Sequence, residues 1–193
     1  MSIKDIKLLT PDFTINCKFV KVPRDIYSIM REMGITKSYA YGMLYQPTLL
    51  SFKFLKVGMS SPELNDREHQ VGERLVRQLS WAPGWKCESP KTSNGYDFWM
   101  NVQNDLISKN VLPKNFDKNN LIVAVWDVSK RMGNSDFILE QERTAAAWAE
   151  GSLASQHKEI YGSLPPLNYA DPSTTKSFTQ PHISRKVFDT LFG

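Results

Sequence analysis

The sequence predicts an α+β fold, a small three-stranded sheet flanked by helices, and three observations carry it. Two strand-like runs, Tyr39 to Tyr45 (YAYGMLY) and Phe52 to Val57, are aromatic, apolar and close enough to form a hairpin. A third run, Leu121 to Val128 (LIVAVWDV), is the clearest buried strand in the chain. Around them lie segments whose apolar residues recur at helical spacing.

Each helix has its own punctuation. Val22 to Met33 carries Ile26, Ile29, Met30 and Met33 on one face, with Pro23 near its start and Gly34 just past its end. Ser60-Ser61-Pro62-Glu63 supplies an N-cap and a first-turn proline for a second helix. Leu64, Val71, Leu75, Val76 and Leu79 form its face, and it ends before Pro83-Gly84. Residues 82 to 95, rich in Pro, Gly, Ser and Asn, read as a loop before a third helix over Tyr96 to Lys109. A long helix follows from Asp136 to about Tyr161, dense in Ala, Glu and Gln, and Gly162 to Asn168 (GSLPPLN) stops it. The tail from Asp171 is rich in Pro, Ser and Thr, with a short apolar patch at Val187, Phe188 and Leu191.

Composition bounds the function. At 193 residues, 41% hydrophobic and 23% charged, the chain suits one substantial core in an ordinary soluble protein. The longest apolar run, Leu121 to Trp126, falls far short of the roughly 18 residues of a membrane span. The start, MSIKDIKLLT, lacks the apolar stretch of a secretory signal. Cys17 and Cys87 have no metal-ligand spacing and make no disulfide framework, so a reducing cytoplasm is expected. The net charge of +4 is concentrated: residues 1 to 56 hold nine Lys or Arg against four acids, which permits a polyanionic partner.

In order, the chain offers a Tyr-rich strand, a second strand running into a glycine, an Arg-bearing helix, a third strand, a Glu-bearing helix and a Pro-Leu-Asn exit. In this it resembles the GIY-YIG nucleases. Met43-Leu44-Tyr45, with Gly42 one place early, matches the first motif and Lys56-Val57-Gly58 the second; some restriction-enzyme members also carry a lysine where tyrosine is usual. Arg67 lies eleven residues beyond Lys56, where the family has its helix arginine. Glu150, with Leu153 three places on, resembles the Glu-x-x-Leu of the catalytic helix, and Leu164 to Asn168 resembles its closing segment. Glu142 is the next choice, and Glu140 shares the helix.

The resemblance implies an antiparallel sheet within a nuclease domain over residues 37–169, interrupted by an insertion at about 82–120. A basic arm and helix (1–36) and a tail (170–193) flank it. It further implies a metal-dependent endonuclease acting on double-stranded DNA, held mainly through its phosphates. Glu150 or Glu142 would bind Mg²⁺ or Mn²⁺, and Arg67 would grip the phosphate. Tyr45, or alternatively Tyr41, would act as general base, its pKa lowered by Lys56 and the metal. Gly58 would turn the chain from strand to helix, His69 would be a proton shuttle, and Asn168 a structural or substrate contact. Pairing of two copies to cut both strands is compatible with this organisation. The alternative is a binding module that keeps the fold and cleaves nothing.

Every one of these residues also has an ordinary structural explanation. Tyr41 and Tyr45 share a strand face and can simply pack. Arg67 lies among Asp66, Glu68 and Glu73 and can join a solvated ion-pair network, while a helix would turn His69 about 200° away from Arg67. The helix glutamates can be its wet face. Only their meeting in space separates the two readings.

Overall fold

A computed structural model describes residues 11–35, 38–48, 51–61, 71–79, 104–128 and 139–168. In chain order the elements are β1 (Phe13–Asn16), α1 (Pro23–Glu32), β2 (Tyr39–Thr48), β3 (Ser51–Ser60), α2 (Glu73–Leu79), β4 (Leu121–Asp127) and α3 (Leu139–Tyr161). Short 3-10 turns occupy Cys17–Phe19 and Lys118–Asn120, and residues 104–108 are helical. The remainder of the helix expected over Tyr96 to Lys109, the start of the helix expected from Ser60, and the tail lie outside the described residues. None of the helices described is long and apolar enough to cross a membrane.

The sheet is antiparallel, and it has four strands in the order β1-β4-β2-β3 where three were expected. The fourth is β1, which pairs Phe13 with Val125 and Asn16 with Ile122. At four residues, with only Ile15 fully buried, it has too little alternation to announce itself, and it exists because β4 offers it an edge. The hairpin of β2 and β3 is present, but both strands run three residues past their expected ends.

β4 and β2 sit in the middle with both faces covered, which explains why LIVAVWD reads as continuous apolar sequence. On one face Tyr39, Tyr41, Met43, Val123 and Val125 pack with Ile26 and Met30 of α1 and with Leu75 and Leu79 of α2. On the other, Ala40, Ala124 and Trp126 meet Ala146, Ala149, Leu153 and Ala154 of α3. Small residues on both sides of that interface let the helix axis approach the sheet closely.

α1 is bounded as its punctuation requires. Asp25 Oδ2 accepts the backbone N–H groups of Lys21 and Val22, 2.8 and 3.1 Å away. Its far end closes through Gly34, at φ 62°, with the Ile35 N–H donating to Met30 O. Gly72, at φ 93°, precedes α2; a Cβ there would lie 3.0 Å from Ile26 and 3.1 Å from Met30, so glycine lets the start of α2 rest directly on α1.

β3 is the exposed edge, and the chain covers it with its own exit segment. The Leu167 N–H donates to Leu55 O at 2.9 Å. The Asn168 side chain then pairs with both backbone groups of Val57, accepting from its N–H at 2.9 Å and donating to its C=O at 3.0 Å. His157, stacked 4.5 Å from Tyr161 and 5.7 Å from Phe54, anchors the start of this segment by donating from Nδ1 to Ser163 O. Replacing Asn168 by Ala would orphan both groups of Val57 at about 1–3 kcal/mol. Asn168→Ala is therefore expected to lower the thermal midpoint by roughly 2–12 °C in a scanning-calorimetry comparison with the wild type, at about 2–4 °C per kcal/mol for a chain of this size.

Candidate active site at the edge of strand β3

Four side chains from four elements meet beside the paired stretch of β2 and β3 around Tyr41 and Lys56. Tyr41 comes from β2, Lys56 from β3, Arg74 from the first turn of α2 and Glu150 from the middle of α3. Electrostatics ties them together: Arg74 and Glu150 both bear on Tyr41, and both bear on Lys56. Lys56 and Glu150 are half-buried, Tyr41 is fully buried, and Arg74 is exposed at the solvent side.

The strands bring this about through register. Tyr41 lies directly opposite Gly58, and Met43 opposite Lys56. A bulge between Met43 and Leu44 shifts the pairing, so that Leu44 faces Phe54. Gly58 does not turn the chain towards a helix, as expected; it lies within β3, which continues to Ser60. Its role is space, since a Cβ there would overlap the Tyr41 hydroxyl and stand 2.8 Å from Cε1. Tyr41 thus lies across the neighbouring strand, over Gly58.

On the opposite face, α3 delivers Glu150. Ala146, Leu153, Ala154 and His157 are buried on one stripe of the helix, and at about 100° per residue Glu150 falls inside that stripe. A carboxylate on the sheet-facing side can reach solvent only past the edge strand, which is where Lys56 stands.

Burial dominates the electrostatics. It raises the Glu150 carboxyl above its usual range, against the pull of Arg74 and Lys56. It brings the Lys56 ammonium down to about 8, with repulsion from Arg74 adding to the effect and Glu150 opposing it. It also pushes the Tyr41 phenol well above its ordinary value, Arg74 working the other way. The buried Tyr41 hydroxyl has no well-formed hydrogen bond among the described residues, although Arg74 is near enough to favour its ionised form.

Tyr45, expected beside Lys56, is elsewhere. Four residues from Tyr41 along the strand is about 13 Å, and Tyr45 packs against Phe116 with ring centroids 5.2 Å apart. There it borders a separate cleft of about 570 Å³ shared with Lys53, Asn110 and Lys114. Lys53 is tied down in that cleft, donating to Val111 O at 2.9 Å. Arg67 and His69 lie outside the described residues, as do the side chains of Glu140 and Glu142. The helix places Glu142 eight residues before Glu150, about 12 Å along its axis.

Sequence reasoning passed over Arg74. A signal was present: Leu75, Val76 and Leu79 mark the buried face of α2, and Arg74 stands one residue off it, at the boundary between core and water. Among the described residues no three His, Cys, Asp or Glu side chains gather to hold a metal. A metal here would have Glu150 as its protein ligand and complete its shell with water and substrate oxygens, a donor set that suits Mg²⁺.

Two outcomes follow from this geometry. Gly58→Ala is expected to destabilise the fold by about 1–3 kcal/mol through overpacking against Tyr41, and most of that loss should vanish in a Tyr41→Ala background when both are measured by urea unfolding. The second concerns pH. Because the folded Lys56 loses its proton near 8 and the unfolded one near 10.5, the unfolded state binds more protons between those values, and stability rises with pH across that window. Without metal, Lys56→Gln should therefore gain more over the wild type at pH 7 than at pH 10. No family model, no curated protein and no solved structure matches the chain.

Proposed function

We propose that the chain is a metal-dependent endodeoxyribonuclease of GIY-YIG type, hydrolysing phosphodiester bonds in double-stranded DNA at a centre formed by Tyr41, Lys56, Arg74 and Glu150. The observation that carries this reading is their convergence: a half-buried carboxylate, two cations and a phenol meet beside β3. A buried hydroxyl without a partner costs about 1–3 kcal/mol. A phosphate oxygen or an attacking water at this edge would supply what Tyr41 lacks.

The roles follow from charge and burial. The neutral amine of Lys56 accepts a proton from water, the water oxygen bonds to phosphorus, and the bond to the leaving oxygen breaks. Tyrosine was the expected base, but burial moves Tyr41 away from neutrality and Lys56 towards it. Tyr41 then orients the water or a phosphate oxygen as a hydrogen-bonding partner. Arg74, planar and permanently charged, meets the charge that develops on the phosphate, the task first expected of Arg67. Bound at Glu150, Mg²⁺ or Mn²⁺ would supply Lewis-acid stabilisation of the leaving oxygen.

Plasmid cleavage with Mg²⁺ tests the assignment. Glu150→Gln, Arg74→Ala and Lys56→Met should each slow cleavage by about 100-fold or more, while Tyr45→Phe stays within about twofold of the wild type. The rate should climb about tenfold per pH unit below 8 and level off above it, as Lys56 loses its proton. Wild-type cleavage by all three variants would sink the mechanism. DNA binding with no cleavage in either Mg²⁺ or Mn²⁺ would mark the chain as a binding module instead.

A further inference from the structure

The corner between β1 and α1 displays an aromatic ring that the core does not use. Phe19 is 72% exposed and Val22 37% exposed, while their neighbours Cys17 and Val20 are buried at 4% each. The alternation is built into the backbone. Asn16 Oδ1 accepts the Lys18 N–H at 2.9 Å, and the Val20 N–H donates to Cys17 O at 3.1 Å, closing a 3-10 turn with Phe19 at its outer side. Asp25 then fixes the next two residues through the Lys21 and Val22 N–H groups. With Cys17, Val20 and Ile26 in the core, the corner is anchored at three points.

Three cations lie within five residues of Phe19 along the chain. Lys18, Lys21 and Arg24 are all exposed. The acidic groups nearby face other partners: Asp25 is half-buried on the backbone amides, and Asp117, beside the adjacent Lys118–Asn120 turn, accepts from the Asn119 N–H at 2.9 Å. Asp12 stands at the other end of β1 and accepts from the Asp127 N–H. An exposed phenylalanine on a pinned turn, with exposed cations on the same short stretch of chain, is complementary to a ligand with a flat apolar face and closely spaced negative charge. Nucleic acid has both, in its bases and phosphates.

We propose that this knuckle is a nucleic-acid contact, in which Phe19 lies against the face of a base and Lys18, Lys21 and Arg24 hold the flanking phosphates. The proposal rests on the nuclease reading for its ligand and extends it to a second contact. β1 and β3 are opposite edges of the sheet, three strand spacings or about 14 Å apart. One DNA molecule can therefore engage both, and the knuckle would set how the duplex lies over the catalytic edge. A ring on a fixed turn reaches a base face either by wedging into a base step or by stacking on an unpaired base.

Anisotropy titrations of the full chain in EDTA separate the possibilities, using duplex and single-stranded oligonucleotides that carry 2-aminopurine as a stacking reporter. Phe19→Ala should weaken binding about tenfold and abolish the reporter's fluorescence change, with the dependence on salt unaltered. A response confined to the duplex identifies a wedge, and one confined to the single strand identifies stacking. Lys18→Ala, Lys21→Ala and Arg24→Ala should each reduce the slope of log affinity against log salt by about one. Because Phe19 is exposed, its variant should unfold at the wild-type midpoint. Unchanged affinity and reporter signal in Phe19→Ala would overturn the knuckle while leaving cleavage at Glu150 standing. Absence of any DNA binding would overturn both readings, and Phe19-dependent binding to phosphatidylserine vesicles with DNA affinity unaltered would assign the knuckle to a membrane surface instead.

Discussion

The side-chain amide of Asn168 closes the sheet. An edge strand presents a row of backbone donors and acceptors that must find partners, and β3 finds them at Leu55 and Val57 in the chain's own exit segment. That pairing does more than cap an edge. It ties residues 163–168 to β3, and this segment is the continuation of α3, so the long helix is held across the sheet by its own end. Glu150 on α3 and Lys56 on β3 owe their closeness to it, because Lys56 is the residue immediately before the one Asn168 grips.

The centre formed there is electrostatically unsettled without a ligand. Burial works against the charged forms of both Lys56 and Glu150, while Arg74 stabilises Glu150 and repels Lys56. The four side chains set two cations and one carboxylate beside a buried hydroxyl that has no good partner among the described residues. An anionic group entering at the edge would be attracted by Arg74 and Lys56 and could offer the Tyr41 hydroxyl a partner, while adding to the cost of an ionised Glu150. Sites that perform proton transfer are often arranged so, with neighbouring groups whose pKa values are pushed in useful directions.

Particular residues show how far the sequence could be read. The hairpin, the buried strand LIVAVWD and the long alanine-rich helix were legible, because each is governed by periodicity and punctuation within a short window. β1 was not, since FTIN becomes a strand only when β4 lies beside it. Lys56 and Glu150 were legible as candidates through the order of elements around them. The choice of Tyr41 over Tyr45 was not, because both face the same side of β2 and only the cross-strand partner distinguishes them: a glycine opposite one, and Lys53 opposite the other. Arg74 was hidden among a run of charged residues, where the spacing of its apolar neighbours was its only mark.

The sequence by itself determined the hairpin strands, the helices that carry clear punctuation, the buried strand LIVAVWD, and a basic excess near the N-terminal end. Those properties follow from local chemistry: side-chain branching, capping, proline and glycine. Tertiary structure decided which tyrosine and which end of the hairpin share one edge, that Arg74 joins them, and that Phe19 is left outside the core. These depend on register and on contacts between residues far apart in the chain, such as Val57 and Asn168, 111 positions apart. A one-residue slip in a strand reverses every side chain, so no local pattern can specify such meetings.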